Sequence, residues 1–142
     1  MELDELQEIA ARLGSTVYLA TLSDGGYPNI APIAVTWRDG IAYMATNASS
    51  HKVRHIQRDP RVSFHTAVGE ATSFDQLAVR GTAAVLQDAA SRERLWDAFD
   101  YDLATFFGTK DNPDLCFLAV EPERAVFLAQ MGQGGRKSWR RA

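Results

Sequence analysis

The segment 46–52 holds the side chains in this sequence that are best suited to chemistry. It reads Thr-Asn-Ala-Ser-Ser-His-Lys, and so gathers three hydroxyl groups, a histidine and a lysine. A lysine supplies a compact positive charge and hydroxyl groups supply directional hydrogen-bond donors, and both suit a phosphate group. The segment predicts an anion site of phosphate type; a plain helix cap beside a solvated lysine is the alternative that these residues leave open.

The flanking residues indicate that this segment joins a strand to a helix. Residues 41–46 are apolar and follow an Asp-Gly turn, which predicts a strand. Ser49 or Ser50 is a natural N-cap for a helix that runs to about Arg58, where Asp59-Pro60 stops it. The first turn of a helix carries free backbone N–H groups and the positive end of the helix dipole, which favours an anion.

The rest of the chain predicts many short strands and few helices. A first amphipathic helix is indicated by apolar residues from Leu3 to Leu13, and a longer helical stretch covers residues 89–107. Strands are predicted over 16–22, 30–37, 41–46, 62–68, 76–86, 115–120 and 125–129. Residues 131–142 are glycine-rich and then basic, which predicts a flexible tail. Strand and helix do not alternate regularly, so a barrel is favoured over a doubly wound sheet.

Composition excludes several function classes. The chain has 142 residues and a net charge of −3, which indicates one domain without a nucleic-acid surface. No apolar stretch approaches the roughly 18 residues of a membrane span, and the acidic N-terminus is unlike a signal peptide, so we expect a cytoplasmic protein. The single cysteine, Cys116, lies in an apolar run and is expected to be buried and inert. We find no metal-ligand spacing and no catalytic triad.

Residues 21–64 (TLSDGGYPNI…RVSF) resemble the flavin-binding split barrels related to pyridoxamine 5′-phosphate oxidase, especially the small bacterial members of general stress protein type. Matching features extend from about residue 17 to residue 129. The most specific part is Thr46 and Ser50-His51-Lys52, followed by Asp59-Pro60-Arg61-Val62. The resemblance implies a mainly β fold with helices (α+β), a six- to seven-stranded split β-barrel spanning the whole chain.

The resemblance also implies a cofactor site at the interface of a homodimer. The cofactor is FMN in most of these proteins, with Pro32, Ile33 and Ala34 along its ring. Further site residues implied by the resemblance hold the phosphate or reach the flavin: Thr46, Ser50, His51, Lys52 and Gln76. Trp96 and Phe106 are candidates for aromatic cover from the partner subunit. The expected function is a flavin-dependent oxidoreductase acting on a small-molecule substrate, in which the cofactor rather than a side chain does the chemistry.

Two positions depart from the oxidase pattern. Ala31 stands where the oxidase has arginine, and His51 stands where it has the first residue of an arginine-lysine pair. Fewer positive charges imply weaker phosphate binding or another cofactor, since some relatives bind the deazaflavin coenzyme F-420 and others bind haem. A deazaflavin-dependent reductase and a non-catalytic flavin-binding stress protein therefore remain alternatives, and no particular substrate is predicted.

Overall fold

Seven antiparallel strands form one sheet that closes on itself in the computed structural model, which describes residues Met1–Ala142. The order is β3-β2-β1-β4-β5-β6-β7, and an additional pairing of β3 with β6 closes the barrel. The strands are β1 (Thr16–Leu22), β2 (Pro28–Arg38), β3 (Ile41–Asn47), β4 (Arg61–Thr66), β5 (Gln76–Leu86), β6 (Leu115–Ala129) and β7 (Gly135–Arg140). Six strands make the closed barrel and β7 extends it, which confirms the predicted split-barrel fold class.

Four α-helices lie around the barrel. They are α1 (Leu3–Arg12), α2 (His51–Arg58), α3 (Ala89–Leu95) and α4 (Ala104–Phe107), and single 3-10 turns cover Glu70–Thr72 and Gln130–Gly132. Helix α2 connects β3 to β4, as the sequence predicts. None of the helices combines the length and apolar character needed to cross a membrane.

Two apolar cores hold these elements together. The larger core fills the barrel, where alternate residues of each strand point inward; Leu19, Met44, Leu77 and Leu118 are fully buried there. The smaller core lies outside the barrel, between the α3–α4 region and the opposite faces of β3 and β6. Strand β3 is therefore buried on both faces, which explains its almost continuous apolar sequence.

The predicted long helix over residues 89–107 is wrong, because the chain forms α3 and α4 with a loop between them. The hydroxyl of Thr36 on β2 donates to the carbonyl of Ala98 (3.0 Å), an acceptor that a continuous helix would use itself. The carboxylate of Asp102 accepts from the N–H of Ala104 (3.0 Å) and so starts a new helical turn. The break lets Phe99 and Leu103 still reach the smaller core.

The predicted boundary between strands at Glu121-Pro122 is also wrong, because β6 runs unbroken from Leu115 to Ala129. Pro122 lies opposite Gly81, beside an irregularity in the β5–β6 register, where the missing N–H of proline is tolerated. Strand β6 changes its second partner there, from β3 before the proline to β7 after it.

The predicted flexible tail is ordered over much of its length. Strand β7 pairs with β6 from Arg124↔Arg140 to Ala129↔Gly135. The N-terminal amino group donates to the carbonyl of Ser138 (3.1 Å), and Lys137 forms an ion pair with Glu5 of α1. The basic segment is therefore held by β6 and by the N-terminal region, through long-range contacts that the spacing of residues does not reveal.

We expect Gly81→Ala to destabilise the barrel. A Cβ at this position would lie 2.9 Å from the carbonyl carbon of Glu121 and 3.0 Å from Cα of Pro122, closer than packed atoms allow. The free energy of unfolding should fall by about 1–3 kcal/mol, as for other overpacked sites, in denaturant titrations. Gly25→Ala is the control, because its Cβ would meet only open space and Tyr27 at 4.0 Å. Equal stability of the two variants would contradict this account of the β5–β6 contact.

Candidate functional site

A cavity of about 520 Å³ lies on the outer side of β2 and β3, beside the start of α2 and next to α4. Five of the eight predicted site residues line it: Pro32, Ile33, Ala34, Thr46 and Lys52. The larger groove of about 630 Å³ between α1 and β2 is lined by none of the eight. The 520 Å³ cavity is therefore the place where the structure brings most of the predicted residues together.

The first turn of α2 offers unpaired donors at the edge of this cavity. Ser50 is the N-cap, and its hydroxyl accepts from the N–H of Val53 (3.4 Å). The backbone N–H groups of His51 and Lys52 have no acceptor in the chain, and the first turn holds no carboxylate. Lys52 is half-buried and takes part in none of the ion pairs. One lysine and two backbone donors thus remain free for an anion.

The turn before α2 is held by Asp114, which sequence reasoning missed. Its carboxylate accepts from Asn47 Nδ2 (2.8 Å), from the N–H of Ser49 (2.8 Å) and from the hydroxyl of Ser49 (3.0 Å). These hydrogen bonds, led by that from Asn47, lower the pKa of Asp114 below its usual value. Asp114 directly precedes β6, whose pairing with β3 places it there, so only the strand register could have revealed its role.

The remaining basic residues of α2 differ in exposure, because Arg54 and Arg58 are exposed whereas His55 is buried. His55 is 5% exposed, and its Nδ1 shares a hydrogen bond with the hydroxyl of Thr21 (2.9 Å). Arg58 reaches the β1–β2 turn, where it donates to the carbonyl of Leu22 (2.7 Å). His51 is exposed, its Nδ1 accepts a hydrogen bond from the guanidinium of Arg54 (2.6 Å), and it does not line the cavity.

Gln76 does not reach the cavity of its own chain. It lies at the start of β5, where its side chain is hydrogen-bonded with Nε2 of His65 (2.9 Å). Successive strand pairs connect His65 to Tyr18 and Tyr18 to Pro32 along the outer surface of the barrel. Gln76 and the cavity therefore share one face of the sheet but lie at different places on it.

Aromatic residues of the same chain line the cavity, and cover from a partner subunit stays a prediction. Phe106 is 70% exposed and lines the cavity of its own chain, together with Tyr101, whose ring centroid is 5.6 Å away. Trp96 packs at the edge of the smaller core and does not line the cavity. Burial and the neighbouring Asp100 raise the pKa of the Tyr101 hydroxyl, so it stays protonated near neutral pH.

A family model for pyridoxamine 5′-phosphate oxidase matches residues 4–129, which includes the barrel, the cavity and α2. The chain belongs to the pyridoxamine 5′-phosphate oxidase family. This finding confirms the resemblance on which the site residues were predicted. It concerns the family as a whole and leaves the role of each residue as a prediction.

A relative and two solved structures extend the comparison. The chain is 30% identical over 91 residues to general stress protein 26 of Bacillus subtilis (strain 168), and the match spans 61% of each chain. A protein of Clostridium acetobutylicum that is described as related to general stress protein 26 has the same fold as this chain. The TM-score is 0.78 at 23% identity, over 97% of this chain and 93% of that one. A heme-binding protein of Mycobacterium smegmatis also shares the fold, with a TM-score of 0.76 at 21% identity over 97% of this chain and 57% of that one.

We expect Asp114→Asn to weaken the acid sensitivity of folding. A carboxylate whose pKa is lowered by folding stabilises the protein above the unfolded pKa, near 3.8, and loses this effect as the pH falls toward the folded pKa. The variant should therefore be less stable than the wild type at pH 7, with a smaller difference at pH 3. Denaturant titrations across this range measure it.

Asp111→Asn is the matched control, because the Asp111 carboxylate lies in the same loop and makes no hydrogen bond or ion pair. Its stability should follow the wild-type curve at every pH. A constant difference between Asp114→Asn and the wild type from pH 7 to pH 3 would show that the charge of Asp114 does not hold the turn.

Proposed function

We propose that this protein binds FMN in the cavity beside α2 and acts as a flavin-dependent oxidoreductase. The observation that carries the proposal is that one cavity combines an anion-binding end with apolar walls. Lys52 and the free N–H groups of the α2 first turn provide an anion-binding end. Pro32 and Ile33 on one side and Phe106 on the other provide apolar walls, which suit a flat aromatic ring.

The dimensions and donors of the cavity support this cofactor. Its volume of about 520 Å³ lies in the range of small-molecule cofactor sites. Thr46 and Lys52 would hold the phosphate together with the backbone of α2, whose N-cap Ser50 keeps the helix start in place. A bound flavin would supply the transfer of hydride or electrons, so no acid or base from the chain is required. The chain would bind the cofactor, orient it and limit access of water.

The cavity favours a flavin over haem. Haem iron is held by histidine, cysteine, methionine or tyrosine side chains. All three histidines, the cysteine and the methionines lie outside the cavity lining, and Tyr101 is the one side chain of a ligating type there. The raised pKa of Tyr101 opposes the phenolate form that a metal would need. Heme binding by the mycobacterial relative therefore does not extend readily to these residues.

The deazaflavin coenzyme F-420 is the second candidate cofactor. Lys52 is the only cationic side chain that lines the cavity, and Asp100 stands in the same lining. Such a site binds a phosphate group less tightly than a site with several arginines. A related cofactor that gains more of its affinity from contacts to its ring could therefore bind here as well. The apolar walls would bind the ring of FMN or of coenzyme F-420. A direct comparison of the affinities for these two cofactors therefore separates the candidates.

A homodimer would complete the proposed site. The outer sheet surface that carries both the cavity and Gln76 also exposes Tyr18 (45%) and Ile30 (67%). A two-fold contact buries the same patch on both subunits, and it can bring Gln76 of one subunit toward the cavity of the other. This arrangement would explain why Gln76 lies away from the cavity within one chain.

Lys52→Ala should weaken FMN binding. Loss of a charge-assisted contact to phosphate costs roughly 1–3 kcal/mol, which corresponds to about a 5- to 150-fold higher Kd. Fluorescence titration of apo-protein with FMN and with coenzyme F-420 measures both affinities. Lys110→Ala is the control, because Lys110 pairs with Glu93 outside the cavity and its removal should leave both affinities unchanged.

The same titration distinguishes the alternatives. Tight binding of F-420 with negligible binding of FMN would replace FMN by the deazaflavin as cofactor. Absence of binding by either would overturn the cofactor proposal while leaving the fold intact. Stoichiometric flavin binding with no turnover by a panel of electron acceptors would favour a flavin-binding stress protein over an oxidoreductase.

Ile30→Asp should weaken the proposed dimer, since it places a desolvated charge in the centre of an apolar contact. Light scattering after size exclusion should show a shift from dimer to monomer, and FMN affinity should fall in parallel. Ala84→Asp is the control, because it adds the same charge at an exposed position of β5 outside this patch. A wild-type protein that is monomeric while binding FMN tightly would refute the shared site.

A further inference from the structure

The loop between α4 and β6 joins the two ends of the cavity through one side chain, that of Asn112. Its Nδ2 donates to the carbonyl of Phe107 (2.9 Å), which is the last residue of α4 and lines the cavity. Its Oδ1 accepts from the backbone N–H of Asp114 (2.8 Å), the residue whose carboxylate holds the turn before α2. One amide group therefore links the aromatic side of the cavity to its anion-binding end.

Arg92 of α3 holds the backbone of the same loop. Its terminal guanidinium nitrogens donate to three carbonyls, those of Lys110 (2.9 Å), Asn112 and Leu115 (2.8 Å). Its Nε donates to the carbonyl of Gln87 (2.9 Å), just before α3. Arg92 takes part in none of the ion pairs, so its donors bind backbone oxygens alone. The planar guanidinium thereby fixes the position of Asn112 in a loop without helix or strand.

Both hydrogen bonds of the Asn112 amide end on groups that shape the cavity. Toward α4, Phe107 and its neighbour Phe106 line the cavity, and the bonded carbonyl is one of those that a helix end leaves without a partner in the helix. Toward α2, Asp114 accepts from the side chain of Asn47 (2.8 Å), which also lines the cavity. Asn112 itself does not line the cavity, so it acts through these partners.

We propose that Asn112 is a positioning residue that couples the two ends of the cavity, so that one side chain sets both the ring contacts at α4 and the phosphate contacts at α2. The inference rests on the cofactor function proposed above for this cavity. FMN reaches both ends, whereas riboflavin has the same ring without the phosphate. Removing the amide of Asn112 therefore weakens the ring contacts and also reduces the advantage of FMN over riboflavin.

Fluorescence titration of Asn112→Ala with riboflavin and with FMN tests the coupling. The Kd for riboflavin reports the ring end, and the ratio of the Kd for riboflavin to the Kd for FMN reports the phosphate end. We expect the Kd for riboflavin to rise and the ratio to fall, each by about fivefold, as the loss of a hydrogen bond implies. Asp111→Ala is the control, because the Asp111 carboxylate lies in the same loop and makes no hydrogen bond or ion pair. Both quantities should stay within about twofold of the wild type in this control.

Amide hydrogen exchange of the apo-protein, followed by NMR, measures the same coupling without a flavin. The N–H of Ser49 donates to the carboxylate of Asp114 (2.8 Å) and reports the turn before α2. The N–H of Gly108 donates to the carbonyl of Ala104 (2.9 Å) and reports the end of α4. Exchange at both amides should accelerate in Asn112→Ala, by about fivefold or more, because each has lost a support.

Asn112→Asp separates the two hydrogen bonds. Its carboxylate still accepts from the N–H of Asp114 but has no donor for the carbonyl of Phe107, so exchange should accelerate at Gly108 and not at Ser49. The N–H of Ala83, which donates to the carbonyl of Pro60 (2.8 Å) in the barrel, is the reference for global unfolding. Its exchange should be the same in the wild type and in both Asn112 variants.

Three outcomes decide the proposal. Equal increases in the two Kd values of Asn112→Ala, with an unchanged ratio and faster exchange at Ala83, would overturn it by showing that Asn112 supports only the fold. Faster exchange in Asn112→Ala at Ser49 alone or at Gly108 alone would overturn it by showing that the two ends are independent. A wild type that bound neither flavin would instead refute the proposed cofactor, and the exchange data would then decide the coupling by themselves.

Discussion

The pairing of β3 with β6 is the interaction on which the rest of the structure depends. It joins the first half of the chain to the last strands and closes the sheet into a barrel. Its last pair, Asn47 with Leu115, sets Asp114 beside the turn that leads into α2. The free donors of α2 and the cavity wall formed by Thr46 are thus fixed by one strand register.

Burial on both faces makes β3 a rigid support for the cavity. Its inner face packs in the barrel, and its outer face packs against the α3–α4 region. The same packing brings the loop between α3 and α4 to the side of β2, which places Tyr101 and Phe106 in the cavity lining. An apolar wall therefore stands opposite Pro32 and Ile33 without any contribution from a second chain.

Positive charge is sparse in the cavity, where Lys52 is the only cationic side chain in the lining. Lys52 stands alone in the cavity with backbone donors, which fits a cofactor phosphate that also gains affinity from apolar walls. Arg80, Arg124 and Arg140, which pair across β5, β6 and β7, lie outside the cavity lining. With one cationic side chain, the cavity differs from a phosphate site that is built from several arginines.

The sequence by itself determined the local features of this protein. Strands β1 and β5, the turn from β3 into α2 and its Ser50 cap could be predicted, because propensity, turn residues and capping act over a few neighbouring positions. The resemblance carried by the residues around Thr46 and Lys52 led to the barrel. These residues and the apolar positions on β2 indeed line one cavity.

Only the tertiary structure decided how distant segments meet. The ordered strand in the tail, the carboxylate of Asp114 at the turn, the burial of His55 and the separation of Gln76 from the cavity all follow from strand register and helix packing. These are long-range pairings, and nothing in the spacing of residues along the chain records them. Local chemistry could therefore be predicted from the sequence, whereas its arrangement in space depended on closure of the barrel.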